Sequence, residues 1–182
     1  DMPLHGVTVV DLTRVLAGPM CTQMLADLGA RVIKVEQPGV GDDSRALGPF
    51  VDGRSAYFLS INRNKESIAL DLKAPADREI LERLLATADV LVENFRPGTM
   101  EKLGYGWDLL HERYPRLVMT SISGFGQTGP YRGFPAYDMV VQAMSGMMSV
   151  TGNPGMGPCR VGVSIGDLGA GLYAVIGTQA AL

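Results

Sequence analysis

One carboxylate lies in surroundings that would change its chemistry. Asp167 follows RVGVSIG and precedes LGAGLYAVIG, so it is an acid within an apolar stretch. Gly166, Gly169 and Gly171 leave space beside it. Apolar surroundings disfavour the charged form of a carboxylate and so raise its basicity and nucleophilicity. The position also suits a helix N-cap, worth about 1 kcal/mol. Spacing alone favours the N-cap. The roles of N-cap and nucleophile are compatible, because the amides at the start of a helix can also stabilise an oxyanion.

Loops that combine Gly or Pro with charged or polar residues follow four predicted strands. Such loops let backbone amides approach a ligand closely, and doubly wound sheets bind ligands beyond the carboxyl ends of their strands. Gly and Pro also end strands where no ligand binds, so one such loop indicates little. Four together make a ligand crevice a serious alternative. The loops are DLTRVLAGP, VEQPGVGDDSR, VENFRPG and SISGFGQTGPYRG.

The sequence lacks the residues that several other kinds of functional site require. G-x-G-x-x-G does not follow the first strand, GDLGAG follows no strand of a βαβ unit, and no Walker A lysine motif occurs. His5 and His111 are the two histidines, and neither Cys21 nor Cys159 has a metal-ligand neighbour. The sequence therefore predicts no metal site and argues against a serine or cysteine hydrolase, whose nucleophile needs a positioned base. We expect His111 on a helix surface and Cys159 as a loop thiol.

Strands and helices alternate along the chain. A β-branched run over 7–12, a helix within 17–30 and a strand over 31–38 fit one right-handed βαβ unit. The alternation predicts an α/β fold, with a mostly parallel sheet and helices on both faces. The later segments are KESIALDLK (a strand or hairpin arm), APADREILERLLATA (an amphipathic helix), DVLVENF (a strand), YGWDLLHERYP (a short helix), RLVMTSISGFG (a strand), and two helices, YDMVVQAMSGMMSVTG and IGDLGAGLYAVIGTQAAL.

The composition is that of a globular chain of one-domain size. Of 182 residues, 46% are hydrophobic and 19% charged. The net charge of −3 gives no reason to expect nucleic acid or an acidic membrane as a partner. Two cysteines are too few for a disulfide framework and favour reduced thiols. The sequence shows no leader and no apolar run of about 20 residues, and so predicts no membrane span. Its uncapped helical end indicates part of a longer protein.

Six segments, taken in order, carry a family resemblance: PLHGVTVVDLTRVLAGP, LADLGARVIKVEQPGVGDDSR, FLSINRNKESIALDLK, VENFRPG, SISGFGQTGP and IGDLGAGLYAVIGTQAAL. Each is modest alone, but together they resemble the class III CoA-transferases (the CaiB/BaiF family) nearly end to end. The resemblance implies a Rossmann-like fold in which residues 1–182 are the N-terminal part of the large CoA-binding domain. The small domain and the C-terminal return of the chain are absent. It also implies an interlocked homodimer of full-length subunits in the cytoplasm, or in the mitochondrial matrix of a eukaryote.

The resemblance implies a reaction as well. CoA moves from an acyl-CoA donor to a small carboxylic acid, with no tightly bound cofactor, and the family's nucleophile falls on Asp167. The acyl group is carried through aspartyl anhydride and thioester intermediates. Tyr137 and Asp138 match a polar pair close to the nucleophile and complete the implied catalytic set. Tyr57 is expected to line the same pocket.

Positions for CoA carry over from the same resemblance. A loop that lines the CoA and acyl site matches Val15, Leu16 and Ala17. The remaining matches are to family segments that hold the adenine, the phosphates and the rest of CoA. They are Leu70 to Lys73, Asn94, Phe95, Arg96 and Lys102. Without the resemblance, the charged residues among them would be ordinary surface residues.

Two departures from the family pattern bear on specificity. Gln37 stands where some relatives have a basic residue, which weakens one expected phosphate contact. Leu16 stands where the formyl-CoA and oxalate branch has Gln, which argues against oxalate as acceptor. TRVLAGP favours branches that handle dicarboxylic or carnitine-type acids.

Two other functions stay open. An α-methylacyl-CoA racemase has the same fold and Asp but needs a second base, for which its branch carries His beside the Asp. Tyr137 occupies that position here, and a side chain with a reference pKa of about 10 is a poor base near neutral pH. A non-catalytic acyl-CoA-binding module is the other hypothesis. Such a module would need the ligand crevice to bind acyl-CoA but would not need Asp167.

Overall fold

Strands and helices alternate along residues 2–182, the part of the chain that the computed structural model describes. In chain order the elements are β1 (Thr8–Asp11), α1 (Ala17–Asp27), β2 (Arg31–Glu36), β3 (Phe50–Val51), β4 (Arg54–Ser55), α2 (Ala56–Ile61), β5 (Lys65–Ala69), α3 (Pro75–Leu85), β6 (Val90–Glu93), α4 (Thr99–Leu103), α5 (Trp107–Arg113), β7 (Val118–Ser121), α6 (Asp138–Met144) and α7 (Ile165–Ala181). Two 3₁₀ helices, Asp43–Ala46 and Met147–Val150, lie between them.

Five of the strands form one parallel sheet in the order β5-β2-β1-β6-β7. Val9 of β1 is paired with Val32 of β2 on one side and with Val90 of β6 on the other. This confirms the α/β fold and the parallel sheet, and it makes β5 a sheet strand rather than a hairpin arm. The order reverses between β1 and β6, which is where a sheet of this kind opens a crevice for a ligand. Strands β3 and β4 form a separate antiparallel hairpin.

Helices cover both faces of the sheet because successive side chains of a strand point to opposite sides. On one face Val10 packs in a core with Leu81 of α3. On the other face Val9 packs with Leu25 of α1 and Val175 of α7. Since β1 is buried on both faces, its apolar run is continuous rather than alternating.

Three local elements differ from the sequence prediction. The helix expected to run from residue 137 to 152 stops at Met144, because Gly146 adopts a left-handed conformation with φ of 81° that ends the helix. Helix α4 was not predicted because it has five residues between the left-handed glycines Gly98 and Gly104. Helix α2 was also missed. It is six residues long and depends on one cap, the Ser55 side chain accepting from Phe58 N–H.

Helix α7 lies unusually close to the start of α1. A Cβ added at Gly171 would come within 2.8 Å of the Ala17 carbonyl oxygen. Only glycine therefore permits this approach, which fixes the start of α7 beside the loop that leads into α1. Within residues 2–182, no helix combines the length and the apolar character needed to cross a membrane.

Candidate active site

A cavity of about 640 Å³ opens beyond the carboxyl ends of β1, β2, β5 and β6. It is the place where the sequence indicated a crevice, and three of the four predicted loops contribute to it. The fourth, SISGFGQTGPYRG, supplies Gln127 to a separate cavity of about 320 Å³. The first cavity is lined by Leu12, Thr13, Arg14, Val35, Glu36, Gln37, Pro38, Gly41, Asp42, Asp43, Leu70, Asp71, Leu72, Lys73, Phe95, Thr99 and Leu103.

The structure brings together only some of the expected CoA-binding residues. Leu70, Lys73 and Phe95 line the larger cavity, where Leu70 is buried and Lys73 is exposed. Arg96 lines the smaller cavity instead. Lys102 is exposed on α4 and lines neither cavity. Leu70 therefore gives the larger cavity a buried apolar surface and Lys73 gives it an exposed cation, and both belong to the predicted CoA-binding set.

Asn94 holds Arg14, the residue directly before the segment 15–17 that is expected to line the acyl site. The Asn94 Oδ1 accepts from Arg14 N–H at 2.9 Å, and its Nδ2 donates to the Arg14 carbonyl at 2.7 Å. The Arg14 guanidinium in turn lies 5.7 Å from the centre of the Phe95 ring. Asn94 was expected to contact CoA, and in the structure its side-chain amide is engaged with Arg14.

Asp167 is the third residue of α7, where it lies inside the first turn. The prediction that it is the N-cap is wrong, because the helix begins two residues earlier and Ser164 is the cap residue. Burial, and then the negative charge of Asp138, raise the pKa of Asp167. No hydrogen bond offsets these effects within residues 2–182. The side chain is thus a half-buried carboxylate with raised basicity.

Asp138, the first residue of α6, fastens the start of α7. Its Oδ1 accepts from Gly166 N–H at 2.7 Å, and its Oδ2 accepts from the Gln142 side chain at 2.6 Å. Gln142 also accepts from Val161 N–H at 2.8 Å, which ties the preceding loop to the same point. Tyr137, the neighbour of Asp138 and the other member of the expected pair, is 77% exposed.

The start of α7 retains one free donor. The N–H groups of Ile165, Gly166 and Leu168 donate to protein oxygens, whereas that of Asp167 has no acceptor within residues 2–182. A Cβ at Gly169 would meet nothing within 4 Å, so there is open space on the next turn. A free amide, a basic carboxylate and open space are what an acyl-transfer nucleophile needs.

The pKa of Tyr57, in α2, responds to burial and to the carboxylates of both Asp167 and Asp42. Burial raises the pKa of Tyr57, and the negative charges of Asp167 and then Asp42 raise it further. Asp42 lines the larger cavity. The phenol therefore lies within electrostatic reach of both groups.

Sequence analysis missed a set of buried charges beneath the loop of residues 13–17. Lys34 Nζ lies 2.8 Å from Asp42 Oδ2, and Lys65 Nζ lies 3.2 Å from Asp11 Oδ2, with every side chain at most 2% exposed. Burial alone would raise the pKa values of Asp11 and Asp42, but the neighbouring lysines hold both below their ordinary values. Lys34 within the apolar run VIKVE was the available signal, since a buried strand excludes an unpaired cation.

The remaining polar candidates are His111 and the two cysteines. His111 is exposed on α5 and Cys159 is an exposed free thiol. Burial raises the pKa of Cys21 to about 12, so it is an unreactive core thiol. Over residues 2–182, no three or more His, Cys, Asp or Glu side chains form a group that could hold a metal ion.

Comparison with known proteins identifies the family. The family model described as CoA-transferase family III matches residues 4–182. The acetyl-CoA:oxalate CoA-transferase of Acetobacter aceti is 52% identical over 181 residues, covering 99% of this chain and 46% of that protein. The human succinyl-CoA:glutarate CoA-transferase is 51% identical over 173 residues, covering 94% of this chain and 40% of that protein.

A solved structure agrees with the sequence matches. A CaiB/BaiF family protein from Brucella suis superposes with a TM-score of 0.94 at 46% identity, covering 100% of this chain and 49% of that one. The chain spans about half the length of the relatives it matches. The chain therefore belongs to CoA-transferase family III.

Proposed function

We propose that the full-length protein moves CoA from an acyl-CoA donor to a carboxylic acid acceptor, with Asp167 as the nucleophile. The observation that carries this proposal is the state of the Asp167 carboxylate. It is half-buried, its pKa is raised by burial and by Asp138, and no hydrogen bond lowers it within residues 2–182. A carboxylate in that state is more nucleophilic than one in water.

In the proposed reaction, Asp167 attacks the thioester carbonyl of the donor. The C–S bond breaks, CoA leaves as the thiolate, and a mixed anhydride joins Asp167 to the acyl group. The thiolate then attacks the aspartyl carbonyl and expels the donor acid, leaving an aspartyl thioester. The acceptor carboxylate attacks that carbonyl and releases the thiolate, which finally attacks the acceptor's acyl carbon and restores Asp167. Each step replaces one thioester or anhydride bond with another, so the acyl group stays activated as long as water is excluded from the site.

The geometry supports a division of labour in residues 1–182, which we take as the N-terminal part of the large domain. We propose that Leu70, Lys73 and Phe95, which line the larger cavity, hold the nucleotide end of CoA. We propose that residues 15–17 line the acyl site, which the close approach of Ala17 to Gly171 of α7 supports. Arg96 and Lys102 lie outside that cavity, so their proposed contacts are with phosphates at its rim or beyond.

Asp138 and Tyr137 have separate proposed roles. Asp138 orients the nucleophile by holding Gly166 N–H, and its charge raises the basicity of Asp167. Tyr137, at 77% exposure, is free to contact the acceptor acid. The free N–H of Asp167 is available to an oxyanion.

We propose a dicarboxylic acid as the acceptor. The relatives described above are named for oxalate and glutarate, which are dicarboxylic acids. Leu16 argues against oxalate on the sequence, whereas the relative from Acetobacter aceti, at 52% identity, is named for oxalate. A panel of oxalate, succinate and glutarate with one donor, succinyl-CoA or acetyl-CoA, separates these acceptors by kcat/KM.

Trapping the covalent intermediate tests the proposal. Full-length protein is incubated with the acyl-CoA donor and hydroxylamine, digested, and analysed by mass spectrometry. Attack of hydroxylamine on an aspartyl anhydride or thioester gives a hydroxamate at Asp167. An Asp167→Asn variant should give none, and Asp108→Asn, which changes an exposed carboxylate on α5, should react like the wild type. CoA binding without an adduct at Asp167 would favour the non-catalytic module.

The racemase alternative has a distinct readout. It requires a second base near Asp167, but both oxygens of Asp138 already accept hydrogen bonds, from Gly166 and Gln142. Incubation of a 2-methylacyl-CoA with the enzyme in deuterium oxide should therefore leave its α-proton in place. Exchange of that proton would favour the racemase over the transferase.

We also propose that the full-length chain forms the interlocked homodimer. Large apolar side chains on and near α7 support this, since Val150 is 86%, Tyr173 77% and Ile176 59% exposed in residues 2–182. The remainder of the chain and a second subunit are the proposed cover. Light scattering on the purified full-length protein should give the mass of a dimer. The cytoplasm, or the matrix in a eukaryote, stays the expected compartment, in keeping with the free thiols of Cys21 and Cys159.

A further inference from the structure

A strained residue lies at the centre of the loop that follows β1. Val15 has φ of 70°, in the left-handed region. Asp52 and Asn64 are the other non-glycine residues with positive φ within residues 2–182, and Asn and Asp tolerate that conformation. A β-branched residue does not, so the surrounding structure must impose it.

The surrounding structure holds each residue before and at the strained position. Thr13 N–H donates to Asp11 Oδ1 at 2.8 Å, and its carbonyl accepts from Lys34 Nζ at 2.8 Å. Arg14 is held through both its N–H and its carbonyl by the Asn94 side chain. Val15 N–H donates to Asp42 Oδ1 at 3.1 Å. The backbone before and at the strained residue is therefore fixed by the side chains of Lys34, Asn94 and Asp42, which are distant in sequence.

The two groups that bracket the strained turn also pair with each other. Lys34 Nζ lies 2.8 Å from Asp42 Oδ2, with the two side chains 2% and 1% exposed. Asp42 is itself oriented by Ser44, whose N–H and Oγ donate to its Oδ1 at 2.9 and 2.7 Å. A closed circuit therefore runs from the Thr13 carbonyl through Lys34 and Asp42 to Val15 N–H. Buried ion pairs contribute little net stability, which makes conformational control the better explanation of this one.

The position of the turn matters to the nucleophile because the chain continues directly into α1. Ala17, two residues after Val15, has its carbonyl oxygen so close to Gly171 that a Cβ there would come within 2.8 Å. Gly171 lies one helical turn after Asp167. A shift of the turn therefore moves the acyl-site loop relative to the carboxylate.

We propose that Lys34 and Asp42 are positioning residues for acyl transfer, which hold Val15 in its left-handed conformation and so set the acyl-site loop against Asp167. This inference rests on the proposed function. Neither residue needs to touch the acyl group, since both act through backbone atoms of Thr13 and Val15. The defect on breaking the circuit should appear in the chemical step rather than in CoA binding.

Steady-state kinetics of the full-length enzyme test this. Asp42→Asn keeps the shape and an acceptor for Val15 but removes the charge that holds Lys34. We expect kcat to fall about 10- to 100-fold, because a small displacement of the acyl-site loop disturbs the alignment of the reacting atoms. The KM for the acyl-CoA should change by less than about threefold. Glu66→Gln, which breaks the exposed Arg31–Glu66 pair, is the matched control and should change neither value.

A rescue experiment separates positioning from general stability. Glycine adopts a φ of 70° without strain, so it should need the circuit less. Adding Val15→Gly to Asp42→Asn should therefore restore part of kcat, although Val15→Gly in the wild type should lower it. No recovery in the double variant, or a wild-type kcat in Asp42→Asn, would overturn the proposal.

Two measurements keep the test decisive. If Asp42→Asn fails to fold, Ser44→Ala removes only one bond that orients Asp42 and should lower kcat in the same direction by a smaller factor, about threefold. An unchanged kcat in that variant would count against the proposal. The circuit is intact in the wild type, so absence of a hydroxamate at Asp167 there would overturn the proposed function, while failure of the rescue overturns only the positioning role.

Discussion

Two regions of the molecule, residues 2–121 and residues 122–182, differ in how they bury charge and expose apolar surface. In the first, charged groups such as Lys34 and Asp42 are buried and paired. In the second, large apolar groups such as Tyr173, at 77% exposure, face outward. The buried lysines of the first region pair with aspartates of the same region, whereas the second carries apolar surface of the kind that marks an interface. The proposed nucleophile belongs to the second region, where Asp138 holds the start of its helix, and the close approach of Gly171 to Ala17 sets that helix against the first.

Removing the nucleophile should give the largest effect and locate the chemistry in the second region. Asp167→Asn should lower kcat by at least about 10³-fold, because the amide cannot form the anhydride, while KM for the acyl-CoA stays within a small factor. Stopped-flow or steady-state assays with CoA-binding calorimetry provide the measurement. Residual activity of a tenth of the wild type would contradict the assignment.

An apolar substitution compares the two regions by stability. In the full-length protein, Ile176→Ser should lower the free energy of unfolding by about 2 kcal/mol, because we propose that this 59% exposed side chain is covered there. Val40→Ser, at a 65% exposed site in the first region, is the matched control and should stay within about 0.5 kcal/mol. Denaturant unfolding measures both. Equal small effects would mean that α7 is not covered.

A charge at the rim of the larger cavity should affect binding rather than chemistry. Lys73→Met should raise KM for the acyl-CoA about threefold to tenfold and leave kcat nearly unchanged, since an exposed cation contributes modestly to holding a phosphate. Initial rates over a range of donor concentrations give both constants, and the effect should shrink at high salt. A fall in kcat with constant KM would place Lys73 in the chemistry instead.

The smallest expected effect concerns pH. The proposed mechanism requires ionised Asp167, so kcat/KM should fall on the acid side of its pKa, which burial and then Asp138 raise. Asp138→Asn removes a nearby negative charge, makes ionisation easier and lowers that pKa. The acid limb of the pH profile should therefore move to lower pH by less than about one unit, because burial, the larger cause, persists. An unmoved limb, or a shift to higher pH, would show that Asp138 does not act on Asp167.

The sequence supported most of the fold because its signals were local. Continuous apolar runs such as VTVVD predicted the buried parallel strands, and an amphipathic segment predicted α3, in which Leu81 and Leu85 are buried. The short helices α2 and α4 escaped prediction because a few residues between turns carry too little periodicity. The break after Met144 depends on the left-handed conformation of a single glycine, which a pattern does not reveal.

The candidate site was less predictable because it depends on distant contacts. The apolar setting of Asp167 was visible in the sequence, but its place inside the first turn of α7 depends on where the helix begins. Lys34 within VIKVE indicated a buried cation, but its partner Asp42 lies in a loop beyond the strand, so the pattern did not identify the pair. The engagement of Asn94 with Arg14 joins residues that no local pattern connects.

That clamp has a consequence for the order in which the protein assembles. Asn94 and Arg14 are 80 positions apart, so the strained turn lacks this support until β6 has docked beside β1. Contacts of such long range form late because they must close a large loop of chain. We expect Arg14 N–H, in pulse-labelling hydrogen exchange during refolding, to gain protection after the amides of α1. On the ribosome, the acyl-site loop would then emerge early and mature only after residue 94 has been made.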